Sequence, residues 1–118
     1  RKIHIDEARI LVLGFTFKGD CPDVRNTKIV DMVKELESFN AQVDVYDSWA
    51  NPDEVNREYG LELCKNLELG LYDAIVLAVD HSEFKVWGEA KIRAFGKARH
   101  VLYDVKHVLP VGASDLRL

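Results

Sequence analysis

The sequence predicts an α/β protein with a Rossmann-like, open and mainly parallel sheet of five to six strands and helices on both faces. Three observations predict it. The runs Arg9-Ile10-Leu11-Val12-Leu13-Gly14 and Tyr72 to Val79 carry the unbroken apolar stretches 10–13 and 74–79, as strands buried on both faces of a parallel sheet do. An amphipathic helix between the first run and the next strand places strand, helix and strand within ~35 residues, the spacing of a βαβ unit. The 118 residues carry 47% hydrophobic side chains, enough for one core at the modal domain size of ~100–150 residues.

The elements follow in order. After the first strand, residues 15–25 form a polar loop containing Gly19 and Pro22. Asn26 or Thr27 then caps a helix whose Ile29, Val30, Met32, Val33, Leu36 and Phe39 recur at spacings of three and four. Asn40 closes that helix, since Asn tolerates the left-handed conformation, and Gln42 to Asp47 is the second strand. Asn51-Pro52-Asp53 starts a short polar helix ending near Gly60. Leu61 to Cys64 alternates as an edge strand would, Ser82–Trp87 and Gly88–Phe95 read as short helices, and Arg99 to Asp104 is the last strand. The tail from Pro110 reads as loop.

Composition excludes several function classes. Sixteen Lys+Arg against 20 Asp+Glu give a net charge of −4, which disfavours a broad grip on nucleic acid or an anionic membrane. No apolar run approaches the ~18–20 residues of a membrane helix. Cys21 and Cys64 are too few for a disulfide scaffold, pointing to a reduced, cytoplasmic protein. The chain opens Arg1-Lys2, with its one methionine at Met32, and reads as a piece of something longer.

In doubly wound sheets, ligands bind beyond the carboxyl ends of the strands where strand order reverses, so the loop after the first strand is the place to look. Gly14-Phe15-Thr16-Phe17-Lys18-Gly19 nearly fits the dinucleotide fingerprint G-x-G-x-x-G, but Thr16 stands at the middle glycine. A Cβ there obstructs close approach of a pyrophosphate. The loop offers charge instead. Lys18, Asp20, Asp23, Arg25 and Lys28 lead into a helix N-terminus, whose free N–H groups favour anions. Solvated surface charge is the plainer reading of such residues. Phe15 and Phe17 either fill the edge of the core or wall a pocket.

These residues carry a family resemblance. Leu13 to Thr27, with its Gly-x-Thr-Phe-Lys and Asp-x-Arg elements, resembles the opening of the C-terminal domain of the UDP-glucose/GDP-mannose dehydrogenase family. The resemblance continues through Val45-Tyr46-Asp47, Tyr72 to Phe84 and Leu102 to Pro110, covering nearly the whole chain after Glu7. The wording of the first loop and the ending Tyr103-Asp104-Val105-Lys106 are most similar to the UDP-N-acetylhexosamine 6-dehydrogenases of bacterial polysaccharide synthesis.

The resemblance implies a single UDP-sugar-binding domain over residues 1–118, with 1–8 the tail of a preceding linker or helix. An NAD-binding domain and a central region holding the catalytic cysteine would lie on other polypeptide, so no catalytic residue is assigned within this chain. The reaction implied oxidises the sugar C6 alcohol to a carboxylate in two NAD-dependent steps. Carried onto matching positions, Lys18 contacts the UDP-sugar with Phe17 beside it, Lys106 grips the substrate, and Arg25 reaches across to the NAD pyrophosphate. Lys106 stands where the family often has Arg, keeping the charge but losing the bidentate fork. Ser48 and Asn40 replace a usual proline and glycine. The implied partner is a UDP-N-acetylhexosamine or related UDP-sugar, with the full-length protein a homo-oligomer.

Other candidates read as structural. Cys21 has no His/Asp constellation near it in sequence, and Cys64 reads as a small strand hydrophobe. His81, at the carboxyl end of a buried strand, reads as a helix-cap or loop residue before a polarising one. His100 and His107 lack metal spacing, so no metal site is expected. Trp49 and Trp87 read as packing residues, and Arg117 as a solvated tail residue or an interface contact. The competing reading is a receiver-like regulatory module with a phosphorylatable aspartate at a strand end. Asp47 and Asp104 end strands, but Gly14 and Phe15 stand where its paired acids belong.

Overall fold

The computed structural model describes residues 5–117. Residues 1–4 of the expected tail over 1–8 lie outside the described residues, as does Leu118. Five strands, β1 (Arg9–Leu13), β2 (Gln42–Tyr46), β3 (Tyr72–Leu77), β4 (Gly96–Asp104) and β5 (Leu116–Arg117), form one sheet in the order β2-β1-β3-β4-β5. Every neighbouring pair is parallel. Helices α1 (Ile29–Ser38), α2 (Pro52–Tyr59) and α3 (Ser82–Arg93) connect the strands.

Strand alternation sends successive β1 side chains to opposite faces. Ile10 and Val12 meet Val45, Val76, Val33 of α1 and Val55 of α2. Leu11 and Leu13 meet Ile75, Leu77, Leu102 and the Phe84 and Ile92 of α3. Both faces of β1 are therefore core from Ile10 onward, which is why its sequence is apolar from Ile10 to Leu13. Gly14 ends the strand at φ 104°, and a Cβ there would lie 2.5 Å from Val79 Cβ. Only glycine admits both the turn and that approach.

Helix starts and stops follow local chemistry. Asn51 accepts from the Asp53 and Glu54 amides, Pro52 occupies the first turn of α2, and Gly60 closes it in the left-handed region. Asn40 takes φ 67° after α1, as its position predicts. The start of α1 is later than its sequence signal: Asn26 adopts φ 59°, and the Thr27 hydroxyl accepts from Ile29 N while donating to Phe15 O. The two short helices expected over 82–95 are both present within α3 and meet at Gly88, whose φ of 75° and ψ of 174° leave the helical region.

Two sequence expectations are corrected. Leu61–Cys64 is no strand, because the one ladder bond it makes to β2 is Cys64 N to Val45 O. Its alternation instead serves burial, with Leu63 inside the core. The tail is not all loop, since β5 pairs with Tyr103 and Asp104. Asp115 sets that strand: its amide donates to Leu102 O and its carboxylate accepts Leu102 N and Arg93 Nη1.

Candidate functional site

Strand order reverses between β1 and β3, since β2 and β3 flank β1 on opposite sides. A cavity of about 390 Å³ opens at this place. Four segments line it: Thr16, Phe17 and Lys18 after β1, residues 26–29 entering α1, residues 78–80 after β3, and Lys106 after β4. Lys18, Lys28 and Lys106 face it with a single carboxylate, that of Asp80, so its charge balance favours an anion. Phe17 is 59% exposed and supplies an apolar wall, whereas Phe15 is fully buried against Tyr59, ring centroids 5.5 Å apart. The two aromatics thus divide the roles that sequence left open.

Phe17, Lys18 and Lys106 come together here although 88 residues separate the last two. Arg25 does not join them. Its side chain is 82% exposed and forked onto Asp23, with Nε–Oδ1 3.0 Å and Nη2–Oδ2 3.1 Å. This pairing, with the Arg25 amide also on Asp23 Oδ1, holds the Asp23 carboxyl below its usual range.

Two buried aspartates shape the lining. Asp104 accepts the amides of Val108 and Leu109, both at 2.8 Å, and so folds the turn that carries Lys106. Asp47 receives Phe15 N at 2.7 Å and Thr16 N at 3.1 Å on one oxygen and Trp49 N and Ala50 N on the other. His81 Nε2 adds a contact of 2.9 Å. Burial alone would raise the Asp47 carboxyl, but hydrogen bonds from His81 and from the Phe15 and Thr16 amides hold it below its usual range. Both carboxylates are buried and each oxygen is engaged by backbone donors, which disfavours a phosphoacceptor role and with it the receiver-like reading.

The structure also assigns the remaining candidates. His81 is fully buried, and its side chain caps no helix; it lies between Asp47 and the 15–20 loop. Asp20, not His81, takes the Ser82 hydroxyl and Ser82 N at the start of α3, and that bonding lowers its carboxyl pKa. Thr16, which breaks the dinucleotide fingerprint, is 1% exposed, and its hydroxyl donates to Lys18 O at 2.9 Å. Gly19 is also tight: a Cβ there would lie 2.6 Å from Asp80 O. Trp87 packs among Tyr46, Phe84 and Phe95, while Trp49 stacks on His81. Cys21 and Cys64 are free thiols, the latter donating to Asn66 O. Arg117 is half-buried, and its Nη1 is a buried donor with no hydrogen-bond partner among the described residues. Among the described residues no cluster of three or more His, Cys, Asp or Glu is placed to hold a metal, and no helix is long and apolar enough to cross a membrane.

Comparison with known proteins agrees with this geometry. The chain is 53% identical over 118 residues to a UDP-N-acetyl-D-glucosamine 6-dehydrogenase of Pseudomonas aeruginosa, covering all of this chain and 28% of that protein. It is 50% identical over 116 residues to the enzyme of the same name from Salmonella typhi, covering 98% of this chain and 27% of that one. The chain thus spans little more than a quarter of the length of these relatives. Among solved structures it resembles a UDP-D-ManNAc dehydrogenase from Pyrococcus horikoshii, at 28% identity and a TM-score of 0.73 over 98% of this chain and 26% of that one. The profile of the UDP-glucose/GDP-mannose dehydrogenase family, UDP binding domain, matches residues 11–111. An α/β sheet whose strand-order reversal gathers Phe17, Lys18 and Lys106, together with that match, places the chain in the UDP-glucose/GDP-mannose dehydrogenase family as its UDP-binding domain.

Proposed function

We propose that this domain holds the nucleotide of a UDP-N-acetylhexosamine for an NAD-dependent 6-dehydrogenase that oxidises the sugar C6 alcohol to a carboxylate. The observation that carries the reading is the convergence of Lys18, Lys28 and Lys106 on the cavity between β1 and β3. Lysine ammonium groups and the N-terminal end of α1 suit a diphosphate, and Phe17 suits the flat face of a base. Such a cavity binds and orients; it contributes no nucleophile.

The loop does not fit a dinucleotide pyrophosphate, because the buried Thr16 side chain fills the place where close approach needs glycine. In this reading residues 1–118 act as one binding domain, with NAD held mainly by polypeptide beyond it and Arg25 the contribution made here. The intact enzyme is a homo-oligomer of the cytoplasm, in keeping with two free thiols.

Isothermal titration of the chain with UDP, a UDP-N-acetylhexosamine and NAD tests the reading. UDP and the UDP-sugar bind, NAD binds more weakly, and Lys18→Ala and Lys106→Ala each weaken UDP by about 1.5–3 kcal/mol. Tighter binding of NAD than of UDP, or unchanged UDP affinity in both variants, overturns it.

A further inference from the structure

We propose that His81 is a positioning residue for Lys18, acting as a neutral imidazole that holds one side of the turn presenting that lysine directly, by accepting from Asp20 N at Nδ1, and the other side through Asp47, which Nε2 shares with the Thr16 amide. The inference rests on Lys18 being a nucleotide contact. Lys18 is the apex of Thr16–Asp20, and the residues two before and two after it both touch His81. Asp20 N lies 2.9 Å from His81 Nδ1 and Thr16 Oγ1 lies 3.3 Å from His81 Nε2.

The bonding assigns the protons. A backbone N–H only donates, so Nδ1 facing Asp20 N is the bare, accepting nitrogen. Nε2 therefore carries the hydrogen and donates to Asp47 Oδ2 at 2.9 Å. The same Asp47 oxygen receives Phe15 N and Thr16 N, so the ring joins the ends of β1 and β2 to the far side of the turn. Trp49 stacks on the ring at 25° and Phe84 packs 5.5 Å away, so aromatic rings wall the imidazole while its two nitrogens are bonded. Thr16 Oγ1 closes the turn by donating to Lys18 O.

A structural histidine that merely fills space would not act through Lys18, and a double-mutant cycle separates the two. His81→Phe keeps a buried ring without nitrogens. It raises the Kd for UDP about tenfold, the scale of a lost buried hydrogen bond, and speeds hydrogen exchange at the Asp20 amide while β1 and β3 stay protected. In the Lys18→Ala background the same change costs nothing further. Additive losses overturn the proposal. An effect of His81→Phe with Lys18→Ala silent overturns the nucleotide contact instead. If His81→Phe does not fold, His81→Asn, which keeps an acceptor for Asp20 N, enters the same cycle and gives a smaller, equally non-additive loss. Long-range proton–nitrogen NMR of the unaltered chain decides independently: a bare Nδ1 supports the clamp, and a protonated Nδ1 overturns it.

Discussion

Asp23 grips Arg25 through its side chain twice and through its backbone amide once, so the guanidinium stands clear of the lysine-lined cavity. The Arg25 side of the pair is open to solvent and Asp23 is partly exposed, so the pair adds little to folding. Arg25→Ala therefore leaves the melting temperature of the chain and its UDP affinity unchanged. In the intact enzyme the same change raises KM for NAD, measured by steady-state kinetics, with KM for the UDP-sugar constant. A loss of UDP affinity in the isolated chain contradicts this division of labour.

Acid should loosen the Asp47 hub. Its folded carboxyl titrates below the ordinary value of 3.8, so the stability it contributes is complete above that value and drains away as pH falls through the lower, folded one. Asp47→Asn removes that contribution, costing about 2–3 kcal/mol near neutral pH. Urea unfolding from pH 7 to 2.5 should show a flatter acid limb for the variant, and parallel curves would assign the acid sensitivity elsewhere.

Asp104 ties two consecutive amides behind Lys106. Asp104→Ala strands both donors in a buried place and costs about 2–4 kcal/mol of stability. UDP affinity falls along with it because Lys106 loses its platform, an effect that titration at 10 °C, where the variant stays folded, would reveal.

Glycine 14 and glycine 112 share a positive φ but differ in surroundings. Gly14→Ala drives a Cβ into Val79 and costs about 2–4 kcal/mol. Gly112 has open space around it, and Gly112→Ala costs about 1 kcal/mol of backbone strain. Thermal melts of the two variants, compared directly, check the order.

Much of this was legible along the chain. Residues 9–14 and 72–79 declare buried strands because a strand covered on both faces has no polar register to show. Asn51-Pro52 and Gly60 declare α2 because caps are local chemistry. Lys18 and Lys106 emerged through resemblance, and the structure brings them to one cavity. What stayed hidden is non-local. His81 and Asp47 are 34 residues apart, and nothing in either neighbourhood announces the other. The two residues of β5 are too few for any periodicity, and Leu61–Cys64 shows that alternation marks a buried face without proving a partner strand.

Asp115 has a consequence for how molecules of this kind meet one another. With its amide on Leu102 O and its carboxylate on Leu102 N, one residue satisfies both backbone groups that an incoming strand would need at that point of β4. Arg93 holds the carboxylate there, reaching also to Ala113 O. The seam is thus sealed by a side chain posing as backbone, and a foreign strand could pair with Leu102 only by displacing Asp115.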